Sequence, residues 1–116
     1  MGNRLTKIYT LTGDSGETGL GDGSRIAKTA PRVEVMGNAD ELNSVLGILL
    51  DEPLPETISE CIINVQHTLF DIGGELSIPG HALVKPDRIV YLEHTLDYLN
   101  KDLPPLKDFI LPGGVR

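Results

Sequence analysis

The chain has 116 residues and a mass of 12.6 kDa, enough for one modest hydrophobic core and too little for two domains. A formal charge of -7 and an isoelectric point near 4.8 argue against wholesale nucleic-acid binding, which needs a basic face to displace phosphate counterions. With 40% hydrophobic and 23% charged residues and a mean hydropathy of -0.05, the composition is that of a soluble globular chain rather than a disordered one.

Residues 1–7 are polar and lack a signal-peptide core, and the longest apolar run, 46–50, is far too short to span a bilayer, so neither export nor membrane insertion is expected. The single Cys61 rules out an internal disulfide. Its place on an apolar helical stripe suits a buried thiol in a reducing compartment, and the cytoplasm is the expected location.

In chain order, residues 7–11 read as a short strand-like entry and residues 12–24 as a loop dense in glycine. Helical spacing follows. Val35, Ala39, Leu42, Val45, Leu46 and Leu49 recur every three or four residues, and Pro31 fits the first turn of the helix they predict. Asn38 and Glu41 resemble a capping box that would start or restart that helix, but the earlier start is preferred. Asp51, Pro53 and Pro55 stop it. A second helix is predicted over 56–77, with Ile58, Ile62, Val65, Leu69, Ile72 and Leu76 on one face and a local weakness at Gly73 and Gly74. A third opens near Pro86 or Asp87, carries Ile89, Leu92, Leu96 and Leu99, and ends before Pro104 and Pro105. The last segment, 106–116, is an apolar cluster with no evident partner. The expected fold is all-α, a helical bundle with an extended N-terminal glycine-rich loop, forming a single domain over 1–116. Three amphipathic helices bury little surface alone, so self-association is expected.

The loop fits no standard nucleotide signature. Lys28 lies five residues beyond Gly23 and lacks the flanks of a Walker A motif, Ile26 breaks the Rossmann pattern after Gly21 and Gly23, and Asp14 lacks the alternating ligands of an EF-hand. What remains is a set of backbone amides at Gly13, Gly16 and Gly19, hydroxyls at Thr10, Thr12 and Thr18, and the cations Arg25, Lys28 and Arg32. These residues suit a phosphate cradle; equally, such turn-forming residues make an ordinary surface loop. His67, His81 and His94 do not build a di-iron site, because Asn64 and Tyr91 occupy the positions where inward glutamates would precede His67 and His94. Cys61 has no Cys or His at zinc-ligand spacing, and no protein metal site is expected.

Three ordered blocks narrow the choice. K-I-Y-T-x-T-G-D-x-G-x-T-x-L-G-D-G at 7–23, R-V-E-x-x-G-x-x-D-E-L-N-S at 32–44 and F-I-L-P-G-G at 109–114, with L-x-D-I-G-x-x-L at 69–76 and L-P-P-L-x-x-F at 103–109 between the last two, closely resemble the PduO-type ATP:corrinoid adenosyltransferases. The resemblance covers essentially the whole chain. It implies transfer of the 5′-deoxyadenosyl group of ATP to the cobalt of cob(I)alamin, giving adenosylcobalamin and triphosphate. It also implies a ferritin-like up-down bundle of five helices assembled as a homotrimer, with ATP and corrinoid bound between neighbouring subunits and magnesium accompanying the triphosphate. A cob(II)alamin reductase and an adenosylcobalamin-dependent enzyme would be its protein partners.

Matched position by position, the resemblance makes 1–30 the ATP-binding loop. Within it Thr10, Leu11, Thr12, Gly13, Thr18 and Gly19 are expected to contact ATP, and Lys28 to neutralise its phosphates. Asp40 corresponds to the aspartate of D-E-L-N that pairs with an arginine on a later helix and shapes the corrinoid side. Phe109 corresponds to the aromatic residue that displaces the lower axial ligand of cobalt. By their residue types alone, Asp40 would be an exposed helix carboxylate and Phe109 a core plug beside Ile110 and Leu111. Leu11 departs from the pattern, since family members commonly carry Lys or Arg there; a backbone contact is expected to remain, with weaker ATP binding. The family pattern also continues past L-P-G-G into a helix with an R-R-A-E-R block and another with an N-R-L-S-D-type segment. Because this sequence stops at Arg116, the last two helices and the partner of Asp40 are expected to be absent, with an inactive fragment or interaction module as the alternative function.

Overall fold

The computed structural model describes residues 7–114; residues 1–6 and 115–116 lie outside them. Two compact units are formed, one running to Lys85 and the other beginning at Pro86. The first contains strands β1 (Glu17–Gly19) and β2 (Arg25–Ala27) and helices α1 (Pro31–Leu50) and α2 (Glu56–Ser77).

The all-α expectation holds for the bulk of the chain but needs two corrections at its start. Residues 7–11 form no strand, and the supposed loop contains an antiparallel hairpin pairing Glu17 with Ala27, Thr18 with Ile26 and Gly19 with Arg25. Its turn explains why. The Gly23 amide donates to the Leu20 carbonyl at 3.1 Å, and the Leu20 amide donates to Ser24 at 2.8 Å. Gly23 adopts φ 86°, the left-handed residue that closes a three-residue hairpin loop. Asp22 Oδ1 stiffens the turn by accepting from the Ser24 amide at 2.9 Å and from its hydroxyl at 2.6 Å. Those two bonds, the hydroxyl foremost, hold the Asp22 carboxyl below its ordinary value of 3.8.

α1 begins at Pro31, whose fixed φ suits the first turn and whose missing N–H would have had no helical partner. It passes through Asn38 unbroken, so the capping-box restart is not used. α2 lies antiparallel to α1. Arg32 Nη1 reaches the Leu76 carbonyl at 2.9 Å near one end, and midway Asn43 Nδ2 donates to the Gln66 carbonyl at 3.2 Å while Gln66 Nε2 donates to the Asn43 carbonyl at 3.1 Å. On α2 the expected stripe faces inward: Ile62 is buried and Ile58, Val65, Leu69, Ile72 and Leu76 are half-buried, with Gly73 and Gly74 inside a continuous helix.

On α1 the contact face keeps only Ala39 and Leu46 of the expected stripe. Val35, Leu42, Val45 and Leu49 are 40–54% exposed, whereas Met36, Ala39, Asn43, Leu46 and Gly47 are half-buried. The reason is shape. Ala39 and Gly47 let α2 approach closely and the Asn43 amide bonds across, so the face that docks joins these residues to Met36 and Leu46 and leaves Val35, Leu42, Val45 and Leu49 uncovered. Only Leu20 and Ile62 are buried apolar side chains among the described residues. Beyond α2, the Glu75 carboxylate accepts from the Leu83 and Val84 amides and folds that loop back along the helix.

The second unit holds α3 (Asp87–Asn100), which opens and ends where the sequence predicts. Ile89, Leu92, Leu96 and Leu99 are all exposed, while Arg88 lies over the Tyr91 ring at 5.0 Å and Lys101 over Tyr98 at 4.4 Å. Residues 104–114 follow without helix or strand. Among the described residues no helix is long and apolar enough to cross a membrane.

Candidate functional site

The N-terminal loop is built around Arg25 and Lys28, and the two cations do different things. Arg25 is committed to the fold: its Nη2 donates to the carbonyls of Thr12 at 2.9 Å and Glu17 at 3.2 Å, and its Nε stands 4.0 Å from the Glu17 carboxylate. Lys28 gives only its backbone, donating its amide to the Gly16 carbonyl at 2.9 Å. Its ammonium has no carboxylate within ion-pair distance among the described residues. That ammonium lies over Gly13, where a Cβ would stand 2.9 Å from both Cε and Nζ of Lys28 and 3.0 Å from the Glu17 carbonyl oxygen. An unpaired cation above a bare α-carbon is an arrangement ready for an anion.

The remaining loop residues surround this point unequally. Thr10 and Thr12 place their hydroxyl oxygens 2.9 Å apart. Among the described residues the Thr12 and Gly13 amides donate to no carbonyl, whereas Asp14 donates to Leu11 at 3.3 Å and Gly16 to Gly13 at 3.2 Å. Leu11 adopts φ 64° with its side chain exposed, a costly conformation for a residue with a Cβ, and one that turns the chain into the Thr12–Gly13 segment. Thr18 and Gly19 belong to β1 rather than to the loop. The Lys28-to-Gly16 and Leu20-to-Ser24 bonds bracket the ladder, so its alternation makes Thr18 and Ile26 a hydrogen-bonded pair and turns the Gly19 amide outward. Thr18 therefore offers its hydroxyl, and Gly19 its N–H.

A second feature lies between α1 and α2. An open cleft of about 380 Å³ is lined by Met36, Asp40, Phe70, Asp71, Gly73, Gly74, Ser77 and Leu83, and a smaller recess beside it shares Asp40 and Phe70. Asp40 is exposed, and among the described residues its carboxylate has no hydrogen-bond donor or cation. Phe70 is 79% exposed, one position off the apolar stripe of α2. A Cβ on Gly73 would meet nothing within 4 Å, so that helix surface is bare and accessible. Sequence reasoning singled out Asp40 but missed Phe70, Ser77 and Leu83. A phenylalanine beside Asp71 on the outward side of an amphipathic helix was the available signal.

Phe109 belongs to the second unit, and with 108% exposure it is not a core plug beside Ile110 and Leu111. Cys61 is a free, half-buried thiol. Among the described residues no three His, Cys, Asp or Glu side chains gather to hold a metal ion.

A family model described as cobalamin adenosyltransferase matches residues 8–116. The chain belongs to the cobalamin adenosyltransferase family. It is 55% identical over 117 residues to a cobalamin adenosyltransferase of Cupriavidus metallidurans, a match that takes in 100% of this chain and 64% of that protein. A corrinoid adenosyltransferase of Mycobacterium tuberculosis is 43% identical over 122 residues, covering 98% of this chain and 63% of its own length. In three dimensions the chain is similar to a variant PduO-type ATP:corrinoid adenosyltransferase from Lactobacillus reuteri complexed with cobalamin and ATP. The TM-score is 0.84 at 33% identity, over 95% of this chain and 65% of that one. The mostly helical fold is thus that of the PduO-type adenosyltransferases. The chain spans somewhat under two thirds of the length of the curated relatives it matches.

Proposed function

We propose that this chain transfers the 5′-deoxyadenosyl group of ATP to cob(I)alamin, producing adenosylcobalamin and triphosphate. The observation that carries the reading is the unpaired Lys28 ammonium held over Gly13, on a loop whose Thr12 and Gly13 amides are free of backbone partners among the described residues. Family membership and the ATP and cobalamin bound by the similar Lactobacillus reuteri enzyme support the choice of ligands.

The phosphates would lie across Thr10, Thr12, Gly13, Thr18 and Gly19, with Lys28 against their charge and Leu11 supplying backbone conformation in place of a basic side chain. The cobalt(I) lone pair attacks C5′ of the ribose, the C5′–O bond breaks, and its electron pair leaves with triphosphate. Charge grows on that leaving group, so Lys28 and the loop amides stabilise the transition state more than bound ATP. Magnesium is the proposed counter-ion of the triphosphate, where it would offset charge on the phosphate oxygens.

The cleft of Met36, Phe70, Gly73, Gly74 and Leu83 is the proposed corrinoid face, open and largely apolar with Asp40 among its lining. Phe109, fully exposed on the F-I-L-P-G-G segment, is assigned by that segment's resemblance to the family to exclusion of an axial ligand from cobalt, which eases reduction. Val35, Val45 and Ile48 of α1 are exposed and apolar, which supports self-association, and the homotrimer is proposed from the family resemblance. A cob(II)alamin reductase and an adenosylcobalamin-dependent enzyme would precede and follow the reaction, and the cytoplasm is its proposed location.

A second reading, binding of the ligands without transfer, is favoured by the uncompensated Asp40 carboxylate. One experiment separates them. The purified chain is mixed with ATP, magnesium and chemically reduced cobalamin, and the corrinoid absorbance is followed. Adenosylcobalamin spectra establish transfer; saturation with both ligands and no product would reduce the chain to a binding module.

A further inference from the structure

The hairpin and the cleft meet at a single helical turn. The Gly21 amide, at the hairpin tip, donates to the Ser77 carbonyl at 2.6 Å, and Arg32 Nη1 holds the neighbouring Leu76 carbonyl at 2.9 Å. The same Ser77 lines the cleft, and its hydroxyl donates to the Gly74 carbonyl at 2.9 Å, another cleft residue. Leu83 completes the junction. Its amide is held by the Glu75 carboxylate, and its Cδ1 lies 2.8 Å from where a Gly74 Cβ would stand, so the cleft wall is packed against this same turn. The fit at the tip is tight: a Cβ on Gly21 would stand 2.6 Å from Ile78 Cγ1 and 3.1 Å from the Ser77 oxygen. Any residue but glycine must lift the hairpin from α2 or displace Ile78.

We propose that Gly21 is a positioning residue whose bond to Ser77 couples the nucleotide loop to the corrinoid cleft, so that occupancy of either site changes the affinity of the other. The inference rests on reading the loop as the ATP site and the cleft as the corrinoid site. Physically, a ligand that orders the hairpin fixes the last turn of α2, which is one wall of the second site, and the effect must be equal in both directions. Ile78 is the gauge of the joint, because its Cγ1 sets how closely the tip can approach.

The test measures Kd for magnesium ATP with and without cobalamin, and for cobalamin with and without ATP, by titration calorimetry. In the unmodified chain the two ratios are expected to be equal and about fivefold or more. Gly21→Ala is expected to bring both below twofold while each ligand alone still binds within about threefold of the unmodified chain. Adding Ile78→Ala to Gly21→Ala removes the clashing atom and is expected to restore the ratio, and Ile78→Ala alone to leave it intact. Amide exchange in the unmodified chain provides a check that needs no variant: cobalamin alone should slow exchange at Gly21, and ATP alone should slow it over residues 77–84. Independent affinities in the unmodified chain, or a coupling ratio that survives Gly21→Ala, would overturn the joint while leaving the two sites standing. Failure of the unmodified chain to bind either ligand would overturn the site assignment, and the coupling with it.

Discussion

Lys28 keeps its place because Gly13 has no side chain, and Gly13→Ala therefore displaces the ammonium before the hairpin backbone. The added Cβ would lie 2.9 Å from Lys28 Cε and Nζ and 3.0 Å from the Glu17 carbonyl oxygen, each well inside van der Waals contact. The flexible partner yields first, so the ammonium moves away from the loop amides. A hydrogen bond involving a charged group contributes about 1.5–3 kcal/mol. Lys28 is exposed, and solvent screening places the loss near the lower end, about 1.5 kcal/mol or roughly tenfold in the Kd for ATP. Lys28→Ala should cost about the same. Because both changes act on one ammonium, the double variant should be no weaker than either single one, a strongly non-additive cycle. Titration calorimetry with magnesium ATP reads the affinities, and circular dichroism melting verifies that the hairpin and helices persist. Additive losses, approaching about a hundredfold in the double variant, would refute the placement of Lys28 over Gly13 as the phosphate contact.

The reciprocal Asn43–Gln66 bonds fix the register of α1 on α2, so Asn43→Ala strands a part-buried amide and should cost about 1–2 kcal/mol. A melting temperature unchanged by that substitution would contradict it. Phe70→Ala should weaken cobalamin binding about tenfold or more and leave ATP binding unchanged, since the ring borders the cleft and not the loop; absorbance titration with each ligand decides. Asp22 has its folded carboxyl pKa depressed chiefly by the Ser24 hydroxyl, so its contribution to the hairpin is fully present above the ordinary value of 3.8. That contribution is lost as pH falls through the lower folded value. Protection of the Ser24 amide against exchange should fall on acidification in that range and become pH-independent there in Asp22→Asn.

The parts legible in the sequence are those where one physical demand acts alone. α2 must bury one face, and the period of Ile58, Ile62, Val65, Leu69, Ile72 and Leu76 records it directly. α1 is apolar on more than one face, and the docking face is chosen by the small Ala39 and Gly47 and by the Asn43 amide, features that a search for large apolar residues overlooks. The hairpin was hidden because its three-residue strands contain a single aliphatic side chain larger than alanine, Ile26, and no alternation; only the Asp22–Gly23 pair advertised the turn. At the candidate site, Lys28 and Gly13 could be named from composition and family pattern, but not their superposition. Arg25 and Lys28 look interchangeable as letters, yet backbone carbonyls occupy the first and leave the second available. Asp40 was legible as a motif residue, while Phe70 and Ser77 join it only once the two helices are antiparallel and in register.

In the proposed reaction, C5′ of ATP leaves triphosphate for cobalt on this protein. Supplying the purified chain with ATP carrying carbon-13 at C5′, together with magnesium and chemically reduced cobalamin, allows magnetic resonance to follow that carbon and the phosphorus products at once. A labelled carbon bonded to cobalt and free triphosphate are expected in equal amounts. ATP consumed to ADP and phosphate with no label on the corrinoid, or no turnover with both ligands bound, would contradict it.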